Sequence, residues 1–166
     1  MATPSGTARD RPAQRRRPVQ PIALLVGVVF LLVGVLGFIP GITAGYGGLR
    51  FGGPHSEAML FGVFGVSVLH NLVHLLFGVA GVAASRKRGA SRAFLMVGGG
   101  VYLVLWVYGV TIDQGRPENF VPFNTADNWL HLGLGVGMIV AGVAATALEK
   151  ARGQYPSRES MPEQSS

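Results

Sequence analysis

The sequence contains no cysteine and few charged residues. The absence of cysteine excludes disulfides, thiolate metal ligands and a cysteine nucleophile. Charged side chains make up only 13% of the 166 residues, and they cluster near the two termini and in one internal stretch. A soluble domain carries charge over its whole exposed surface, so this distribution indicates an integral membrane protein. The pI of about 10.5 is explained by arginines that flank membrane segments, and nucleic acid is not an expected partner.

The rest of the sequence consists mainly of long apolar segments. Four are predicted to span a membrane, at residues 22–39, 58–84, 93–112 and 127–148. A helix needs about 20 apolar residues to cross about 30 Å of hydrocarbon. Because the backbone must satisfy its own hydrogen bonds in lipid, the predicted fold class is all-α, an integral membrane four-helix bundle. The basic arm at residues 1–20 and the tail at 150–166 are predicted to be disordered.

Lysine and arginine are distributed unevenly around these segments. Twelve of the 14 precede the first segment, separate the second from the third, or follow the fourth. Arg50 and Arg116 fall on the opposite side. Since positively charged loops stay in the cytoplasm, we expect a multi-pass protein of the cell (cytoplasmic) membrane with both termini cytoplasmic.

An internal repeat relates the second segment to the fourth. The stretch SVLHNLVHLLFG, residues 67–78, aligns without gaps with NTADNWLHLGLG, residues 124–135. FLLVGVLG from Phe30 aligns more loosely with YLVLWVYG from Tyr102. The aligned polar pairs are Ser67 with Asn124, His70 with Asp127, Asn71 with Asn128, and His74 with His131. The alignment predicts two tandem transmembrane hairpins in a parallel pseudo-repeat.

The aligned polar residues form one stripe on each helix, because successive residues turn by about 100°. The candidate polar cluster comprises His70, Asn71, His74, Asp127, Asn128 and His131. Polar groups that face lipid cost several kcal/mol, so both stripes should face protein or a water-filled cavity. Helix capping or hydrogen bonding is predicted for Ser67 and Asn124, and close helix packing for Gly78, Gly81, Gly135 and Gly142. The preferred interpretation is structural: the cluster links the second and fourth helices in the outer half of the membrane, with no cofactor and no catalytic residue.

Two other interpretations use the same side chains. One is a metal ion held by His70, His74, Asp127 and His131, or a haem held axially by histidines at matched depth. The other is a proton or ion pathway, which four spans would form only in an oligomer. Enzymatic activity stays open, with a non-enzymatic role preferred. The expected partners are the lipid bilayer and either further copies of the chain or another membrane protein.

Three motifs carry a resemblance to a known family. GVLGFIPG in the first segment, HNLVHLLFGVAG in the second and FNTADNWLHLGLGV in the fourth resemble the bacterial membrane proteins grouped as DUF4383, a domain of unknown function. The resemblance covers residues 22 to about 148. It implies four spans and a plasma-membrane location, typically in high-GC actinobacteria, and it implies no activity.

Overall fold

The computed structural model describes residues 17–153, which are mostly helical. Its four helices are α1 (Val19–Leu36), α2 (Val68–Ala84), α3 (Arg88–Thr111) and α4 (Thr125–Ala151). Of these, α1, α3 and α4 are long and apolar enough to cross a membrane. The fourth, α2, is an apolar helix of 17 residues, about 26 Å long at 1.5 Å per residue.

The predicted terminal arms lie mostly outside the described residues. The start of α1 and the end of α4 extend further toward the termini than predicted. Helix α1 already starts at Val19, inside the predicted arm 1–20, and α4 continues to Ala151, inside the predicted tail 150–166. The predictions for 1–16 and 154–166 therefore stay predictions.

The second apolar segment, 58–84, is helical only in its later part. Before α2 begins, the chain forms two short antiparallel strands, β2 (Met59–Leu60) and β3 (Phe64–Gly65). The strand β1 (Thr43–Ala44) pairs with the other edge of β2, with Thr43 opposite Leu60. A continuous helix from residue 58 is wrong for this stretch, because Phe61 and Gly62 take positive φ angles of 54° and 69° at the turn. A left-handed pair of this kind ends any helix.

The helices pack in two pairs, α1 against α2 and α3 against α4. Each pair has glycine backbones in direct contact. A Cβ added at Gly27 would lie 3.0 Å from the carbonyl oxygen of Gly78, and one added at Gly99 would lie 2.8 Å from the carbonyl oxygen of Gly135. Small residues at such crossings let membrane helices approach closely. Both α2 and α4 thus pack on the preceding helix through glycine.

The two pairs share one apolar core. Its buried members are Val19, Ala23, Phe30, Leu95, Tyr102, Met138 and Ala145, and Phe77 of α2 packs against them. Phe30 and Tyr102 stack at the centre with ring centroids 5.4 Å apart. Contacts between the pairs run mainly through α3, and α2 and α4 have few direct backbone contacts.

The loops at the end of the molecule remote from the termini are tied to each other. The Gly53 N–H donates to the carbonyl oxygen of Phe120 at 2.7 Å, and the Asn124 side-chain amide donates to the carbonyl oxygen of Val63 at 2.8 Å. Asn119 orders the second loop by donating to the carbonyl oxygen of Phe123 and accepting from its N–H. The three-stranded sheet and the 113–124 loop are therefore hydrogen-bonded to each other next to the starts of α2 and α4.

Candidate functional site

Each half of the polar cluster starts at a helix N-cap. The Ser67 hydroxyl accepts from the His70 N–H at 3.1 Å, and the Asn124 side-chain oxygen accepts from the Asp127 N–H at 2.9 Å. The Asp127 carboxylate in turn accepts from the Asn124 N–H at 3.0 Å, which completes a capping box. These bonds satisfy N–H groups that a helix start leaves free. The two caps occupy aligned positions in the sequence.

Each of the two asparagines contacts a glycine at the end of the helix that precedes its own. Asn71 is fully buried, and its amide lies so close to Gly37 that a Cβ there would overlap it. Asn128 lies against Gly109 in the same way, and its amide donates to the Gly109 carbonyl oxygen at 2.9 Å. Within residues 17–153, neither amide atom of Asn71 has a hydrogen-bond partner. Asn71 therefore acts through packing, and Asn128 through packing and one hydrogen bond.

The histidines lie in a row with the two central aromatic rings. His70 and His74 stack at 4.3 Å between ring centroids. His74 then contacts Phe30 at 5.4 Å, and His131 contacts Tyr102 at 5.4 Å. The Nδ1 of His74 is 3.0 Å from the His70 carbonyl oxygen, to which it donates in the tautomer protonated at Nδ1. The two aligned histidines thus contact the two aligned rings of the core.

Asp127 connects the cluster to the three-stranded sheet. Its carboxylate accepts from the N–H of Gly65 in β3 at 3.0 Å, in addition to the Asn124 N–H. The residue is only 1% exposed. Charge-assisted bonds from backbone N–H groups are stronger than neutral ones. Asp127 is therefore the residue that joins the start of α4 to the strand that precedes α2.

A small cavity lies between the titratable side chains and the sheet. Its volume is about 70 Å³. The lining consists of His70, His74, Asp127 and His131 together with Val33, Leu60, Phe61, Phe64, Leu130 and Leu134. Pockets that bind drug-sized molecules measure about 300–1,000 Å³, so a haem does not fit. A few water molecules do fit, since one needs only about 10–15 Å³ by this measure.

The cavity gives limited support to a metal site or a proton pathway. Among the residues that the structure describes, no three His, Cys, Asp or Glu side chains are grouped so that they could hold a metal ion. Toward the chain termini, the histidines are followed by the apolar side chains of Phe77, Leu95 and Met138. A pathway for protons needs a continuous series of polar groups, and this layer interrupts it.

Three features were missed by sequence reasoning. Gly37 and Gly109, which receive the asparagines, align with each other in the loose FLLVGVLG match and could have been found there. Glu149 is 1% exposed and lies 2.7 Å from the Nε of Arg88, at the opposite end of the helices. An open pocket of about 530 Å³ is lined by side chains from residues 54–65 and 114–124, and no sequence signal pointed to it.

The fold and the cluster define a class: a mostly helical protein with apolar helices of membrane-spanning length and a buried polar cluster of His, Asn and Asp. A family model described as Domain of unknown function (DUF4383) matches residues 20–144, and the chain belongs to this family. The family resemblance stated from the sequence is thereby confirmed. No curated protein and no solved structure matches the chain.

Proposed function

We propose that the chain is a four-span protein of the cytoplasmic membrane with a structural or interaction role, both termini being cytoplasmic. Three helices meet the length and hydropathy of a membrane span. Helix α2, at about 26 Å, is close to the thickness of the hydrocarbon core and completes the fourth span. The orientation follows from the lysines and arginines, twelve of 14 of which lie on the side of the termini.

Matched contacts support a bundle built from two tandem hairpins. Gly27 meets Gly78 as Gly99 meets Gly135, and in both cases the second glycine also meets a leucine one turn further along the first helix. These pairs are related by the same alignments that match Phe30 with Tyr102 and His74 with His131. Equivalent contacts at equivalent positions are what a duplicated hairpin would retain.

The observation that carries the structural role is the placement of the asparagines. Each lies against a glycine at or near the end of the preceding helix, Asn71 at Gly37 and Asn128 at Gly109. Gly109 belongs to the last turn of α3, where carbonyl groups lack helical partners, and the Asn128 amide satisfies one of them. Interhelical polar bonds in membranes contribute about 0.6 kcal/mol on average. In this proposal, the polar cluster stabilises the packing of each helix on the helix that precedes it.

The test compares Asn128→Leu with Asn71→Leu. Leucine keeps the branched shape of asparagine and removes its hydrogen bonding. Because only Asn128 has a hydrogen bond to lose, its variant should melt at a lower temperature in mild detergent, while the Asn71 variant should melt no lower than the native protein. Unchanged melting of Asn128→Leu would remove the main support for the structural role.

One observation favours ligand binding as a second candidate. Four titratable side chains share a single cavity, and Nδ1 of His131 is buried without a partner in the described part of the chain. A metal ion would have to draw at least three of these side chains together. Metal content after incubation with Zn²⁺ tests this, with His74→Ala and His131→Ala as controls. Stoichiometric zinc in the native protein and none in either variant would establish the second candidate.

A further inference from the structure

The turn between β2 and β3 exposes two large apolar side chains. Phe61 is 59% exposed and Val63 is 46% exposed, with Gly62 between them. These three residues form the β-hairpin tip. The Val63 carbonyl oxygen accepts from the Asn124 side-chain amide at 2.8 Å, which holds the tip next to the start of α4. The two exposed side chains therefore project from a turn that is tied to a helix.

All three backbone N–H groups of the β-hairpin tip have partners within the chain. The N–H groups of Phe61, Gly62 and Val63 donate to carbonyl oxygens at 3.0, 3.1 and 3.1 Å. The acceptors, in the same order, belong to Ile42, Met59 and Leu60. Hydrocarbon offers a backbone N–H group no partner, so N–H groups that are already bonded are a requirement for contact with lipid. The tip meets this requirement.

The backbone of Phe61 has a conformation that phenylalanine disfavours. Its φ is 54°, in the left-handed region, where the Cβ lies too close to the following carbonyl oxygen. Among residues 17–153 it is the only residue other than glycine with a positive φ. Tight turns that need a positive φ normally use Gly, Asn or Asp. Backbone strain of this kind is concentrated at functional positions, so the exposed ring needs a reason beyond the turn itself.

The β-hairpin tip lies beside the ends of two helices of membrane-spanning length. Phe61 lines the small cavity of the polar cluster together with Val33, in the last turn of α1, and Leu130, in the second turn of α4. Leu130 is 40% exposed, and its neighbour Trp129 is 66% exposed. Trp is enriched where a membrane meets water. Phe61 therefore continues an exposed apolar surface that begins on α4.

Other exposed loops at this end of the molecule are polar. His55 is exposed in the loop before β2, and the ion pair of Asp113 with Arg116 is exposed in the 113–124 loop. Residues 58–69, which include the β-hairpin tip, contain no charged side chain. This contrast indicates that the tip and the polar loops have different surroundings, apolar for the tip and aqueous for the loops.

Helix α2, which follows the β-hairpin, is short for a membrane span. Its 17 residues extend about 26 Å, which is about 4 Å less than the hydrocarbon core. The end of α2 at Ala84 is followed directly by Ser85, Arg86 and Lys87, whose charges belong in the headgroup layer. The missing length therefore falls at the start of α2, where the β-hairpin precedes it.

We propose that the β-hairpin tip inserts into the outer leaflet of the membrane, with Phe61 and Val63 in contact with lipid. Burial of the exposed ring in lipid offsets the strain of its backbone. The inference rests on the proposed membrane location and topology, and it adds an anchor that is not a helix. It also places lipid at the mouth of the polar cavity, since Phe61 and Leu130 both line that cavity.

Site-directed spin labelling of the full-length chain, which has no native cysteine, tests the insertion. A label at Val63→Cys leaves Phe61 in place, and a label at His55→Cys is the reference in water. In vesicles of phosphatidylglycerol and phosphatidylethanolamine, collisions are measured with oxygen, which concentrates in hydrocarbon, and with a water-soluble nickel chelate. The ratio of oxygen to nickel collisions should be several-fold higher at position 63 than at position 55.

Two outcomes of this labelling would overturn the proposal. Equal ratios at positions 63 and 55 would place the β-hairpin tip in water. A label at position 63 that neither reagent reaches would mean that protein covers the tip, as in a contact with a second copy of the chain.

A pair of variants in the Val63→Cys background tests the role of Phe61. Phe61→Asn and Phe61→Leu both remove the ring, but only leucine keeps an apolar side chain. The asparagine variant should shift the label toward nickel, and the leucine variant should keep most of the native ratio. Equal shifts would mean that packing of the ring in the cavity positions the tip, and no shift in either variant would mean that Phe61 is not an anchor; either result refutes the proposal.

Cell fractionation separates this result from the proposed function. A chain absent from the membrane fraction would refute the membrane role itself. A membrane-inserted chain whose label at position 63 is open to nickel would refute only the insertion of the β-hairpin tip.

Discussion

Replacing Gly99 by alanine should destabilise the contact between α3 and α4, whereas the same replacement at Gly100 should not. A Cβ at Gly99 would lie 2.7 Å from Cγ1 of Ile139 and 2.8 Å from the carbonyl oxygen of Gly135. A Cβ at Gly100 would meet nothing within 4 Å. The two residues are neighbours in one helix, so the change in helix propensity is common to both variants.

The magnitude follows from the distance that α3 and α4 must separate. Ordinary contact begins at 3.4 Å, so the backbone at Gly135 must move by about 0.6 Å to accept the new methyl group at Gly99. Such overpacking costs about 1–3 kcal/mol. Alanine is favoured over glycine in a helix by up to about 1 kcal/mol, and this gain applies to both variants. The difference between the two variants is therefore about 1–3 kcal/mol, with Gly99→Ala the less stable.

Thermal unfolding of the full-length protein in mild detergent measures this difference. For a protein of this size, 1 kcal/mol corresponds to about 2–4 °C in Tm, so Gly99→Ala should melt several degrees below Gly100→Ala. Gly27→Ala, at the aligned position in α1, would place a Cβ 2.7 Å from the Val82 nitrogen and should also lower Tm. Equal melting of the Gly99 and Gly100 variants would refute the reasoning. A loss at Gly99 without one at Gly27 would contradict the equivalence of the two hairpins.

Three further predictions concern the two ends of the molecule. Asp127→Ala removes the acceptor for the Gly65 N–H, so hydrogen exchange at residues 59–65 should become faster; unchanged exchange would show that the sheet is held by other contacts. Arg88→Ala leaves the buried Glu149 without this partner and should lower Tm more than the double variant Arg88→Ala with Glu149→Ala, as measured by a double-mutant cycle; additive effects would contradict the pairing. A cysteine replacing Gly47, in a chain without native cysteine, should react with an impermeant reagent outside intact cells, and labelling only from the cytoplasm would reverse the proposed topology.

The apolar segments and the two N-cap residues could be predicted from the sequence, because both depend on local residue patterns. Ser67 and Asn124 are suitable cap residues directly before apolar helices, and they occupy the N-cap positions. The strands β2 and β3 could not be predicted in the same way, since residues 58–67 are as apolar as the helix that follows. Gly62, in the left-handed turn, and the N-cap residue Ser67 are the two signals that the helix starts later.

The contacts of the polar side chains depend on how the helices pack, and the sequence pattern does not determine this packing. The stripe predicts which face of α2 and α4 is buried, and both faces are buried in the structure. It does not predict which neighbour each face meets. The glycines that receive Asn71 and Asn128 belong to α1 and α3, so the asparagines contact the adjacent helix of the same hairpin.

The one polar position where the aligned cluster residues differ, His70 against Asp127, is explained by the three-stranded sheet. The chain has a single three-stranded sheet, formed from the segment between α1 and α2, in the part of the chain that the structure describes. Its strand β3 presents the Gly65 N–H to the start of α4, where a carboxylate accepts it. Within residues 17–153, the segment between α3 and α4 forms no strand that could pair with the start of α2 in the same way, and His70 stacks on His74 instead. Asp127 thus holds strand β3 against the start of α4, which His70 does not do, and a carboxylate engaged by two backbone N–H groups is less available as a metal ligand.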